Sequence, residues 1–215
     1  MKKFAIILSG CGVKDGSEIH EAVMTMYAIK KAGANYSIFA PNIDFHEVNH
    51  VTMKITDNIR NTFVESARIA RGDVKPLKDF NSDDFDALVI PGGTGAVKNL
   101  CNYASAGLDF EVNDDVKTAV LSMHKAGKPI GAECIAPVLI AKIIPGSVLT
   151  IGSDSKTAVD IENLDCEHSF TDSGEVCIDR DNNIFTTACY MQDADIAEIG
   201  ISTQNLIDAI LESIV

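Results

Sequence analysis

Short apolar runs alternate along this chain with stretches in which apolar positions recur every three to four residues. Strand-length runs followed by helical periodicity point to parallel strands joined by crossover helices, so the expected fold is a doubly wound α/β sandwich of three layers around a mostly parallel sheet. Phe4 to Leu8 reads as the first strand. The loop SGCGVKDG follows it, and a helix opens near Ser17 with apolar positions Ile19, Ala22, Val23, Met26 and Tyr27 and a stop at Gly33. Asn35 to Ala40 reads as the second strand, ended by Pro41.

Residues 42 to 81 depart from this repeat and are expected to form an excursion from the core sheet, with alternation around Val48, Met53 and Ile55 and a helix through NIRNTFVESARIA. The repeat then resumes. Asp86 to Ile90 is a strand, PGGTG a tight turn, Ala96 to Cys101 helical, and Asp114 caps a helix carrying Val116, Ala119, Val120 and Met123 that closes at Gly127. Pro129 to Gly131 is a short strand, Ile135 to Lys142 a helix, Val148 to Ile151 a strand, and EVCIDRDNNIFTTA a hairpin. The last helix places Ile207, Ile210, Leu211 and Ile214 on one face. A single domain over 1–215 is expected, since a chain of 215 residues can bury one adequate core without stapling.

Cys134 lies between a predicted strand and the helix after it. A nucleophile raised on such an elbow stands above the carboxyl edge of the sheet, where the free N–H groups of the new helix favour a thiolate. A lowered thiol pKa is therefore expected, with sensitivity to oxidation as its companion. Glu133 directly precedes it, and adjacent side chains are expected to point apart. The competing reading, a small buried cysteine serving only packing, suits Cys101, Cys166, Cys177 and Cys189 better, while Cys11 in the first loop is a candidate neighbour of the site.

Charge narrows the partners. A net charge of -13 repels phosphates and anionic membrane surfaces, and no Lys/Arg cluster reverses it, which argues against nucleic acid and membrane as partners. The apolar run in MKKFAIILSG is too brief for a signal peptide, and no stretch reaches the roughly 18 residues of a membrane span. Six cysteines without CxxC spacing suggest reduced thiols and a cytoplasmic location.

Three motifs, SGCGVKDGSEIHEA (9–22), VIPGGTGAVKNL (89–100) and IGAECIAP (130–137), together with ARGDVKPL (70–77), resemble those of the ElbB-type proteins, in the PfpI-like branch of the class I glutamine amidotransferase-like superfamily. The resemblance runs over nearly the whole chain. It implies a flavodoxin-like sheet, Cys134 as nucleophile, and Glu21 as the acid hydrogen-bonded to its sulfur, with Glu18 one turn earlier as competitor. A partly buried Glu beside a thiolate is pushed towards its protonated form and can shuttle a proton. The resemblance also implies an oxyanion hole from the PGG turn, Gly92 and Gly93, with Ile135. It further implies a homodimer, a context in isoprenoid biosynthesis, and glyoxalase-type turnover of small carbonyl substrates such as methylglyoxal without glutathione, metal or cofactor.

The chain departs from the superfamily in its histidines. After Cys134 only His168 remains, followed by Ser169 and Phe170 where glutamine-hydrolysing members use His-x-Glu. PfpI-like members often place a histidine after the nucleophile or on the next strand, where this chain has Ile135 and VLTIGSD. A hydrolase or amidase is therefore disfavoured, a sensing thiol acting through a partner is the alternative, and His20 is an accessory candidate base. HEVNH (46–50) matches the zinc-protease pattern HExxH, but its alternation is that of a strand, so no metal is expected there. GCGVKDG has the wrong glycine spacing for a dinucleotide, and DRDNN lacks the glycine of a calcium loop.

Overall fold

The computed structural model describes residues 1–214. Its centre is a seven-stranded sheet formed by β1 (Lys3–Ile7), β2 (Asn35–Ala40), β5 (Val74–Pro76), β6 (Ala87–Ile90), β7 (Ile130–Glu133), β10 (Cys177–Asp179) and β11 (Ile184–Thr187), in the order β10-β11-β7-β6-β1-β2-β5. All neighbours are parallel except the β10–β11 hairpin. The inner order is that of flavodoxin-like folds, and the chain switches direction between β1 and β6, the crevice where such sheets hold their sites.

The central strands are buried on both sides, as parallel strands covered by helices must be: Phe4 to Ile7, Ala87 to Ile90 and Ile130 to Glu133 are closed to solvent. One face packs against α3 (Thr94–Lys98), α5 (Asp114–Lys125), α6 (Pro137–Ile143) and α7 (Ser155–Glu162). The short α4 (Tyr103–Ala106) lies between α3 and α5 in the chain. The other face carries α1 (Ile19–Lys31) and α8 (Ile196–Ser213) over Phe4, Ile6, Ile38 and Val89. Side-chain alternation along β7 sends Ile130 and Ala132 to the first face and Gly131 towards Leu206 and Ile210 of α8.

The excursion resolves into a twisted hairpin, β3 (Asp44–Asn49) with β4 (Lys54–Asn61), then α2 (Thr62–Ile69) and β5, which returns to pair with β2 at the sheet edge. The helix expected from residue 58 thus starts later, because 54 to 61 extend along β3 and Asn61 caps the helix by accepting from Phe63 and Val64 N–H. Several other expectations shift. Asn113, not Asp114, caps α5. Val148 and Leu149 form β8, which pairs only with β9 (Glu167–His168), outside the main sheet. On α1 the buried positions are Glu21, Ala22, Thr25, Ala28 and Ile29, while Ile19, Val23 and Tyr27 face out at 41%, 42% and 59% exposure. Small residues win the inner face because α8 packs closely beside α1, with Met24 near Gly200.

Candidate active site

β7 ends at Glu133 and α6 begins at Pro137, and the turn between them holds Cys134 with a left-handed backbone, φ 58. A non-glycine residue adopts that conformation only when its surroundings impose it. Here the Cys134 N–H donates to Thr187 O of β11 at 3.0 Å and the Ala136 N–H to Glu133 O at 2.9 Å, which pins the elbow on both sides. The sulfur is left above the carboxyl edge with 7% of the residue exposed.

Glu21, from the first turn of α1, is fully buried and faces the Cys134 thiol across Gly92. Its Oε2 accepts from Gly92 N–H at 2.9 Å and its Oε1 from Tyr190 N–H at 3.3 Å. Burial, then the nearby Glu18, raises its pKa to about 8 against the pull of those donors. Desolvation outweighs these hydrogen bonds because no cation lies beside the carboxyl among the described residues. The lowered thiol pKa expected for Cys134 is not found. Burial, and then the facing Glu21, push it well above the ordinary thiol value, although N–H groups of Gly93 and Ile135 point at the sulfur and act in the opposite sense.

The backbone of the first two motifs is zipped together to make this possible. Thr94 N–H donates to Val13 O, Gly95 N–H to Gly16 O and Glu18 N–H to Gly92 O at 2.8 to 3.0 Å, while Asn99 Nδ2 donates to Ser9 O and Asp15 O. A side chain on Gly92 would overlap Cys134 Cβ and stand 2.7 Å from Glu21 Oε2, so the turn must be glycine there. Gly93 follows with φ 92.

Of the accessory candidates, Glu18 caps α1, its Oε2 accepting from Glu21 N–H at 2.8 Å. His20 lies half exposed, its Nδ1 2.8 Å from Tyr190 Oη. Cys11 is drawn the other way, towards Glu65, Arg68 and Arg60 on α2 and β4. His168 is on β9, where Nε2 accepts from Ile151 N–H at 3.3 Å. HEVNH puts His46 on β3 and His50 just beyond it, where His50 Nε2 accepts from Lys14 N–H.

Two neighbours of the site leave no signal in the sequence. Tyr190 touches Glu21 through its backbone alone, a contact that leaves no trace in residue type. Cys189, read as packing, shares a small buried cluster with Cys134 and Ile199 and has its own left-handed backbone, φ 43. Only the end of β11 at the same sheet edge brings it there.

The sequence profile of the DJ-1/PfpI family matches residues 10–196. Among curated proteins, the human glutamine amidotransferase-like class 1 domain-containing protein 3, mitochondrial, is 39% identical over 88% of this chain and 75% of its own length. The rat ES1 protein homolog, mitochondrial, is 36% identical over 98% of this chain and 83% of its own. Among solved structures, an isoprenoid biosynthesis protein with amidotransferase-like domain from Ehrlichia chaffeensis superposes with a TM-score of 0.92 at 33% identity, covering 98% of this chain and 99% of that one.

Proposed function

Because the chain belongs to the DJ-1/PfpI family, we propose that it is a cysteine-dependent enzyme of glyoxalase type, converting small 2-oxoaldehydes to 2-hydroxy acids without glutathione. The observation that carries this reading is the buried pair of Cys134 and Glu21, a thiol and a carboxyl that titrates at about 8. A group with a pKa near the working pH both gives and takes protons efficiently.

In the first step Cys134 Sγ bonds to the aldehyde carbon, the C=O electron pair moves to oxygen, and the thiol proton reaches that oxygen through Glu21, forming a hemithioacetal. The N–H groups of Gly93 and Ile135, aimed at the sulfur, stabilise negative charge as the thiol gives up its proton. In the second step the Glu21 carboxylate takes the hydrogen of C1 as a proton. The electron pair enters the C1–C2 bond and the C2=O pair moves to oxygen, which takes the proton from Glu21. A proton then returns to C2 as the C1 hydroxyl gives its proton to Glu21 and becomes a carbonyl, leaving a 2-hydroxyacyl thioester. C1 is oxidised as C2 is reduced, so no external oxidant is consumed. Water then cleaves the thioester and restores the thiol; methylglyoxal plus water gives lactate. The scheme uses no metal or cofactor, and the narrow exposure of Cys134 favours small substrates.

Lactate formation from methylglyoxal, without glutathione, tests the reading in wild type, Cys134→Ser and Glu21→Gln. Saturable turnover in wild type that is lost in both variants is expected. The second reading, a sensing thiol acting through a partner, is favoured by the placement of the histidines, His20 against Tyr190 and His168 on β9 against Ile151, which leaves base duty to Glu21 alone. It would replace the first if wild type made no lactate while Cys134 was still alkylated or oxidised. The Ehrlichia relative, named as an isoprenoid biosynthesis protein, offers that pathway as the context for either role. Six free cysteines fit the proposed cytoplasmic, reducing location, whereas the human and rat relatives are named as mitochondrial. The homodimer belongs to the same proposal, and sedimentation of the purified chain measures it.

A further inference from the structure

Glu133 ends β7 and sends its carboxyl to the α1–α8 side of the sheet, where it is closed to solvent. No Lys, Arg or His pairs with it among the described residues. Its contact on α1 is Thr25, also fully buried, whose Oγ1 lies 3.1 and 3.2 Å from Glu133 Oε1 and Oε2 and 2.8 Å from the carbonyl oxygen of Glu21. A hydroxyl has one proton to give and lone pairs to receive with. If that proton follows the shortest of the three contacts, to Glu21 O, the remaining contact joins a hydroxyl lone pair to a carboxyl. It is a bond only if the carboxyl carries the proton.

We propose that Glu133 is a protonated carboxylic acid that donates to Thr25 Oγ1 and is the positioning residue for Glu21, tying the first two turns of α1 to the strand that ends in Cys134. The inference rests on the reading in which Glu21 acts on Cys134, and deepens it. One strand end then fixes both partners, holding α1 through Glu133 and presenting the thiol on the next residue. The chain of donors stops at the Glu21 backbone, so Glu133 orients the catalytic acid and does not exchange protons with it. The groups facing Glu133 supply no positive charge to hold a carboxylate: Glu21, Glu18 and Thr25 from α1, Thr203 from α8, and Cys189 after β11. Thr203 Oγ1, buried at the same junction, has no hydrogen-bond partner among the described residues.

The test is the pH profile of Cys134 alkylation by iodoacetamide, followed by the mass of the peptide carrying residue 134, in wild type, Glu133→Gln, Thr25→Val and Thr25→Ser. Alkylation reports on the Glu21–Cys134 pair whether or not lactate is made, so a failed glyoxalase assay leaves this test intact. Glu133→Gln keeps a neutral donor and should retain the wild-type profile. Thr25→Val keeps the shape but breaks the link. Its midpoint should move down towards the ordinary thiol value, with about a tenfold change in rate at neutral pH, the scale of one buried hydrogen bond, and Thr25→Ser should restore it. The infrared difference between wild type and Glu133→Gln should contain the carbonyl stretch of a carboxylic acid. A carboxylate band in that difference, a shifted profile in Glu133→Gln, or an unshifted or unrescued one for Thr25, would each overturn the proposal.

Discussion

At the scale of single residues, Glu21 ties function to stability. Its carboxyl titrates at about 8 in the folded chain and near 4.5 when exposed, so between those values the native state binds the extra proton. A group raised in this way stabilises fully below its unfolded pKa, and the contribution is lost as pH climbs to the folded value, by up to ~1.4 kcal/mol per pH unit for one group. Glu133 adds a slope of the same sign. Glutamine is neutral in both states, so the melting temperature of Glu21→Gln should fall less than that of wild type between about pH 5 and about pH 8. Parallel curves would mean that the buried acid is ionised. The elbow at Cys134 is legible in the chain itself, whereas Glu21 as its partner follows only from the resemblance of its motif. The direction of the thiol shift is not legible there, because the helix start that lowers a thiol pKa is local whereas the burial that raises it comes from distant segments, with Glu21, Cys189 and Ile199 among them.

At the scale of elements, α8 supports the site from behind. It packs along α1, carries Thr203 to Glu133 and lays Ile199 beside Cys134 and Cys189. Its start is fixed by a capping box: Asp195 Oδ1 accepts from Ala197 and Glu198 N–H at 2.8 and 3.0 Å, and Glu198 Oε2 accepts from Asp195 N–H at 2.8 Å. Asp195→Ala should cost about 1 kcal/mol, read as a lower urea midpoint with an unchanged slope; an unmoved midpoint would assign the helix start to packing alone. Periodicity located α1 and α8 but misjudged the inner face of α1. Ile19, Val23 and Tyr27 are spaced as a stripe, yet the close approach of α8 favours Ala22, Thr25 and Ala28 beneath.

At the scale of the whole molecule, 31 acidic against 18 basic side chains leave a charge of -13, and few ion pairs offset it among the described residues, those of Arg60 with Glu47 and Glu65 on the hairpin side being the densest. Self-repulsion of this kind is screened once the Debye length shrinks to about 10 Å near 0.1 M salt. The melting temperature should therefore rise from low to moderate ionic strength, whereas a fall would show that attractive pairs dominate. The sequence by itself determined the alternation of strands and helices, the elbow at Cys134, the glycine turn at Gly92 and Gly93 and the hairpin at the end, since each follows from local periodicity or from backbone demands written in residue type. Tertiary structure alone decided that β5 closes the sheet edge while β8 stays outside it, that Tyr190 and Cys189 arrive beside Cys134, and that Glu133 meets Thr25 under α1. Those placements depend on which strand ends share one edge and on how closely two helices approach, quantities set by packing between segments far apart in the chain.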